Sequence, residues 1–470
     1  MGETRMMKLP GAKNQIMASS LSLLNKLKLA VNNTQRNKTI SGLALVTFLT
    51  QIPNFYGEDI VNARENYLTG AKTDFWGGFS TLIYGHIPNI WPRWQIWLAL
   101  MQVTFTCVGL TKFFQGIPNN RRNKIAVATI AYASLMFAAQ MTRDGLMFSA
   151  LLLGLAILQE GIYRARSVSY MLPPTLLICL ALSLRPWMAL AVIPVLLSLL
   201  NRRNKNTSKF LTASLVLIVL ITPSVFEIGS SKIMNLVRSY PEQQVMLMDA
   251  AASFCYTNNF DTGIRAKLIF QNFTADSAYP LYACQLFRTD TWLSLTNGGN
   301  ASSQGLSPDF WLINSGETAK YENLKSSWLK MILNDPVTYI QNKILFAQKI
   351  MVGSDTRGFQ FINEKTMLHQ IVALYKIPYE IAISTHLLSI LTCLSVFVLF
   401  PIFGMFRGKK REIILNKFTL SILLSLILWA FLSSIAFIGS NGRYTYSITL
   451  LSFALILSQS SQNKIPYAKK

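Results

Sequence analysis

Two adjacent carboxylates, Glu58 and Asp59, follow directly on Ile40 to Tyr56, an apolar stretch just long enough to cross a bilayer. Four more ionisable residues sit at the ends of apolar runs. Arg143 and Asp144 lie in Met141-Thr142-Arg143-Asp144-Gly145, Arg185 precedes Pro186, and Arg443 lies in Gly439-Ser440-Asn441-Gly442-Arg443-Tyr444. A carboxylate can take the proton of an attacking hydroxyl. A guanidinium can hold a phosphate with two hydrogen bonds and offset the charge that develops on it. Acids at a membrane exit and arginines at nearby turns therefore suit group transfer from a lipid-anchored phosphate. The plain alternative is interfacial solvation, because a turn that reaches water needs no function.

The elements that must position these groups are membrane helices. The chain has 470 residues, 51% hydrophobic and only 14% charged, against roughly 25% charged in soluble domains. Its apolar runs predict an all-α polytopic membrane protein with ten spans: 40–56, 94–111, 125–141, 145–159, 169–184, 186–200, 210–227, 383–405, 418–438 and 445–460. A formal charge of +23 would suggest nucleic acid in a soluble protein, but its distribution says otherwise. The segments 1–38, 112–124, 160–168, 201–209, 406–417 and 461–470 hold 25 of the 44 Lys and Arg. Their acids are Glu3, Glu160 and Glu412, so this side is net +22 and the rest of the chain net +1. By the positive-inside rule the basic side is cytoplasmic, with both termini on it. No nucleic-acid partner is expected.

The expected organisation is a basic cytoplasmic leader (1–38) and a seven-span bundle (39–227) with an outer loop at 57–93. An extracytoplasmic, mainly helical domain (228–382), a three-span bundle (383–460) and a cytoplasmic tail (461–470) follow. The leader lacks an apolar core followed by a cleavage site, so the first span reads as an uncleaved anchor. Both flanks of 169–200 are basic, which requires two crossings there, with Arg185-Pro186 at the outer turn. Trp76, Tyr84, Trp91, Trp94 and Trp97 read as an aromatic interface belt, or alternatively as a sugar-stacking platform.

In the large outer segment, Cys255 and Cys284 are either a disulfide or two unpaired thiols. Residues 255–320 are rich in Asn, Asp, Gly and Ser and read as irregular. The stretch 324–352 is clearer. Leu324, Trp328, Met331 and Ile332 share one helical face. Asp335-Pro336 then opens a second helix with Ile340, Ile344, Leu345 and Met351 on its apolar side. Both helices are expected to lie against the membrane or the span bundle. There is no phosphate loop, dinucleotide fingerprint, zinc-ligand cluster or nucleophile elbow. The three histidines, His86, His369 and His386, do not favour a His-centred mechanism.

This layout resembles the GT-C superfamily of integral-membrane glycosyltransferases, in a poorly characterised bacterial branch. It carries an acidic motif just after the first span (Glu58-Asp59), an acid in the next outer loop (Asp144) and a juxtamembrane helix at about 60–72. A segment running from Trp328 to Tyr339 is similar to W-x-x-M-I-x-x-x-P-x-x-Y. The acidic pair is Glu-Asp rather than a spaced Asp-x-Asp, and no large soluble domain follows the last span. The resemblance implies transfer of a sugar from a polyprenyl-phosphate donor to a cell-envelope glycan, lipid or protein acceptor. That chemistry belongs on the extracytoplasmic face of a bacterial inner membrane.

In that reading Asp59 is the general base, Glu58 its runner-up and Asp144 a second acid. Arg185 holds the donor phosphate, with Arg143 or Arg443 as alternatives. No metal ligands are assigned, and a divalent cation is the one cofactor left open. The competing readings are an O-antigen or polysaccharide polymerase or ligase, a lipid-linked sugar transporter, and a non-enzymatic scaffold.

Overall fold

The computed structural model describes residues 33–49, 64, 67–68, 77–91, 93–115, 117, 120–139, 142–164, 168–200, 209–257, 259–274, 279–287, 295, 313, 316–352, 409–436, 450–455 and 457–458. Of the described residues 88% are helical, and none forms a strand. The first described helix is α1 (33–49), and residues 64 and 67–68 are also helical. A short α2 (Gly78–Thr81) continues through a π turn at Leu82–His86 into α3 (Ile87–Ile90). Then come α4 (Trp94–Phe113), α5 (Arg121–Ala139), α6 (Arg143–Tyr163), α7 (Leu172–Ser183), α8 (Ala189–Leu200) and α9 (Lys209–Ile233).

Among the described residues three helices are long and apolar enough to cross a membrane: Trp94–Phe113, Arg143–Ile162 and Thr212–Ile233. This is fewer than the ten spans expected, and the reasons are local. Helix α5 opens with Arg121, Arg122 and Lys124, and charges near a span end lower its mean hydropathy. Helices α7 and α8 have 12 residues each because Arg185-Pro186 separates them, and about 20 are needed to span the hydrocarbon. The expected span 383–405 lies outside the described residues, as do parts of 40–56 and 445–460.

The bundle core joins α4 to α6, α6 to α7, and α7 to α9. Close approach depends on Gly154, where an added Cβ would lie 2.7 Å from the Ile178 side chain and 3.1 Å from the Pro174 carbonyl oxygen. The two ends of the bundle differ in charge. At one end Lys112, in the last turn of α4, pairs with Glu160 near the end of α6, and Glu160 also meets Arg164 at 3.1 Å. Arg36 donates to the Ile117 carbonyl at the same end. The opposite end holds the start of α6, the break between α7 and α8, and the exit of α9.

From that second end the chain enters a separate core made by α10 (Gln243–Tyr256), α11 (Phe260–Phe270), α12 (Tyr279–Leu286), α13 (Thr318–Asn334) and α14 (Pro336–Val352). Part of the region read as irregular is therefore helical. Asn259 caps α11 through bonds from the Asp261 and Thr262 amides, and Thr262, Ala266, Ile269 and Phe270 form its buried face. The Cys255–Cys284 disulfide ties α10 to α12. These helices are short, and packing and cross-linking hold them where their own propensity is weak. The shared face on α13 forms as expected, with Leu324 and Met331 buried and Trp328 packed against the same core.

On α14 the expectation is reversed. Ile340 and Ile344 face outward, while Asn342, Lys343 and Phe346 are buried. The reason is α15 (Lys409–Ala436), which packs along α8 and receives the polar side of α14.

Candidate functional site

The site at the second end is built from α6 outward. Thr142 is the N-cap of α6, its hydroxyl accepting from the Gly145 amide at 3.0 Å. Asp144 falls in the first turn, where the helix dipole favours a negative charge. Helix α7 ends as the Arg185 amide donates to the Leu182 carbonyl at 2.8 Å. Pro186 then starts a tight turn at Pro186–Met188, and the Met188 amide closes onto the Arg185 carbonyl at 3.0 Å.

Arg185 is thereby aimed at Asp144. Its Nε donates to Oδ1 at 2.7 Å and its second NH2 nitrogen to Oδ2 at 3.1 Å. The side chains are 5% and 3% exposed, so this is a buried, bidentate pair. The Trp187 ring lies 5.9 Å from the guanidinium carbon.

The segment between α1 and α4 is pinned over the same end. The Tyr84 hydroxyl donates to the Thr142 carbonyl at 3.3 Å, which makes Tyr84 a buried strut rather than a member of an aromatic belt. Trp91 and Trp97 do remain exposed, and Trp91 stacks near Trp94 and Trp97. Glu227, near the end of α9, accepts from the Gly78 amide at 2.5 Å and the Phe79 amide at 3.0 Å. It thus caps α2 from a helix about 150 residues away in sequence. Gly78 is required there, since a Cβ would come within 2.1 Å of the Ser231 hydroxyl.

Of the residues singled out from sequence, Asp144 and Arg185 meet directly and Arg143 lies beside them at the start of α6, half-buried. Glu58, Asp59 and Arg443 lie outside the described residues. His86 bonds the Tyr67 hydroxyl through Nδ1 at 2.6 Å. Among the described residues no group of three or more His, Cys, Asp or Glu comes together to hold a metal.

A second buried pair was not legible in the sequence. Asp249 of α10 meets Lys343 of α14 at 2.5 Å, both nearly inaccessible to solvent. Lys343 also donates to the Ser434 carbonyl of α15 at 3.0 Å, and the Trp328 indole donates to Asp249 at 3.1 Å. The rings of Tyr339 and Phe346 flank the ammonium at 5.3 and 5.6 Å. Burial pushes the Asp249 carboxyl above its usual range, against the pull of Lys343 and Trp328. Burial, with Asp249 nearby, likewise raises the Tyr339 phenol. The only sequence signal was a lysine on the polar side of an amphipathic helix, which ordinarily reads as solvated.

Comparison with known protein families, with curated proteins and with solved structures finds no match.

Proposed function

We propose that this chain is an integral-membrane glycosyltransferase. It moves a sugar from a polyprenyl-phosphate donor to a cell-envelope glycan, lipid or protein acceptor on the extracytoplasmic face of a bacterial inner membrane. The observation that carries the reading is the meeting of Asp144 and Arg185, 41 residues apart in sequence, as a buried bidentate pair. The pair sits at the bundle end from which the chain enters the disulfide-tied helical core. Around it the proposal places ten spans with both termini cytoplasmic, in keeping with the segregation of basic residues.

In the reaction an acceptor hydroxyl attacks the anomeric carbon of the sugar. The bond from that carbon to the phosphate oxygen breaks, and polyprenyl phosphate leaves carrying the bonding pair. The hydroxyl proton goes to Asp59, with Glu58 as the alternative base. Arg185, held in one orientation by Asp144, turns its remaining positive field toward the departing phosphate, with Arg143 or Arg443 as the alternative cation. Asp144 is then a positioning residue for Arg185. A divalent cation added to the assay tests whether the arginines suffice.

The experiment is transfer from a panel of polyprenyl-phosphate sugars in membranes, at equal protein levels, for Asp59→Asn, Glu58→Gln, Asp144→Asn and Arg185→Ala. Loss at Arg185 and at one of the acidic pair is expected. Near-normal transfer by all four variants would remove the site. A polysaccharide ligase would tolerate alanine at Glu58, Asp59 and Asp144.

A further inference from the structure

The corner between α13 and α14 carries an apolar surface that nothing in the described chain covers. Leu333 is 78% exposed, Val337 62%, Ile340 50% and Ile344 45%. Beside them on α11, Phe260 is 80% and Ile264 44% exposed. A hydrogen bond from the Thr262 hydroxyl to Asp335 at 3.2 Å binds the two helices at this corner, so the exposed side chains form one patch and not scattered singles.

We propose that this patch is a lipid-facing surface, seating the outer helical domain in the outer leaflet of the bilayer. The argument rests on the chain spanning a membrane and not on glycosyl transfer. Three observations point to lipid as the occupant. First, the patch is continuous with an interface to a membrane helix. Helix α14 is pinned by Lys343 to Ser434, which lies at the end of the apolar run Leu420–Ile435. Val337 is six residues before Lys343, about 9 Å along the helix at 1.5 Å per residue, so the corner lies near headgroup depth. Second, helix α15 itself exposes Leu420, Leu424 and Ile427, the side chains a membrane helix turns to lipid. Third, exposed lysines sit at the edges of the patch. Lys330 follows Leu329 and Lys267 precedes Leu268, each leucine itself exposed. Apolar side chains with adjoining lysines that reach up to phosphates are the pattern of a helix lying in a membrane interface.

The test uses the full chain in nanodiscs of phosphatidylethanolamine and phosphatidylglycerol, with Cys107→Ala, Cys179→Ala and Cys393→Ala and the disulfide intact. A spin label is attached in turn at Leu333→Cys, Phe260→Cys and Asn323→Cys. Asn323 is exposed on α13 and about 15 Å from Leu333 along the helix. Labels at 333 and 260 are expected to collide more with oxygen than with a water-soluble nickel chelate, and the label at 323 the reverse. Nickel-dominated collisions at 333 and 260 would show a surface open to water. Low collision with both reagents would show a cover of protein, including a second copy of this chain. Either result overturns the proposal.

A second measurement does not depend on the variants. Photoreactive phospholipid cross-linked to the unmodified chain should leave lipid adducts on peptides covering 260–268 and 329–344. Adducts confined to the bundle helices would also overturn the proposal.

Discussion

Two regions of this protein bury an acid against a base, and they do it differently. At the end of the bundle, Asp144 and Arg185 satisfy each other through two parallel hydrogen bonds, at the break between two short helices. In the second helical core, Asp249 and Lys343 are embedded among Trp328, Tyr339, Phe346 and a backbone carbonyl of α15. The first pair stands at a turn, with half-buried Arg143 next to it, at the end where α6 begins and α7 stops. The second is buried among groups supplied by four helices, α10, α13, α14 and α15. A planar, forked cation is fixed in one orientation by a facing carboxylate, whereas a point charge closed in by rings suits a clamp. In the proposed function the bundle pair serves chemistry, and the pair between Asp249 and Lys343 serves architecture.

The sharpest way to break that assignment is to remove one charge of the clamp. Lys343→Met leaves Asp249 buried without compensation, which costs about 3–5 kcal/mol. Hydrogen exchange across α10, α13 and α14 should rise strongly, and Asp249→Leu added to Lys343→Met should restore much of the protection. No restoration would mean the ion pair is not what holds α10 to α14.

The matching change in the bundle should appear in activity. Arg185→Ala is expected to lower transfer by about 10²–10³-fold, the range for losing one group that stabilises developing charge. Arg185→Lys should not rescue it, because lysine cannot reproduce the two-bond geometry. A rescue by lysine would reduce Arg185 to a source of charge.

Removing the cross-link separates the two regions further. Cys255→Ser with Cys284→Ser should destabilise the disulfide-tied helical core by about 2–4 kcal/mol. Exchange in α4, α6 and α9 should stay unchanged. Loosening of both regions together would show that they unfold as one unit.

The smallest effect concerns the cap of α14. The Asp335 carboxylate accepts from the Thr338 amide at 3.0 Å and hydroxyl at 2.7 Å, as well as from Thr262. These bonds, the backbone one foremost, hold its carboxyl below the usual range. A depressed carboxyl stabilises the fold above the unfolded value and loses that contribution as pH falls through the folded one. Acid should therefore loosen the start of α14 at a pH below about 4. Asp335→Ala should cost about 1 kcal/mol at neutral pH. Asp335→Asn should keep most of the cap and flatten the acid dependence, read by exchange at Thr338 and Tyr339.

Much of the helical outline was legible in the chain. The Arg185-Pro186 break, the shared face of Leu324, Trp328 and Met331, and the Asp335-Pro336 helix start are local signals carried by neighbouring residues. So is the segregation of lysine and arginine into alternate loops. The sequence also nominated Asp144, Arg185, Cys255 and Cys284, because their types and places were unusual. What it could not supply was pairing. Whether Asp144 faces Arg185 or water, and whether Cys255 reaches Cys284, depends on how the helices are arranged in space. Glu227 capping a helix about 150 residues upstream, and Lys343 buried beside Asp249, broke the periodicity rules that normally put charge in solvent. The outward turn of Ile340 and Ile344 has the same origin. An amphipathic pattern fixes which side chains share a face, but the free energy of burying that face depends on what the rest of the molecule, or a bilayer, offers it. Here α15 offered a carbonyl to a lysine, and the polar side of α14 went in.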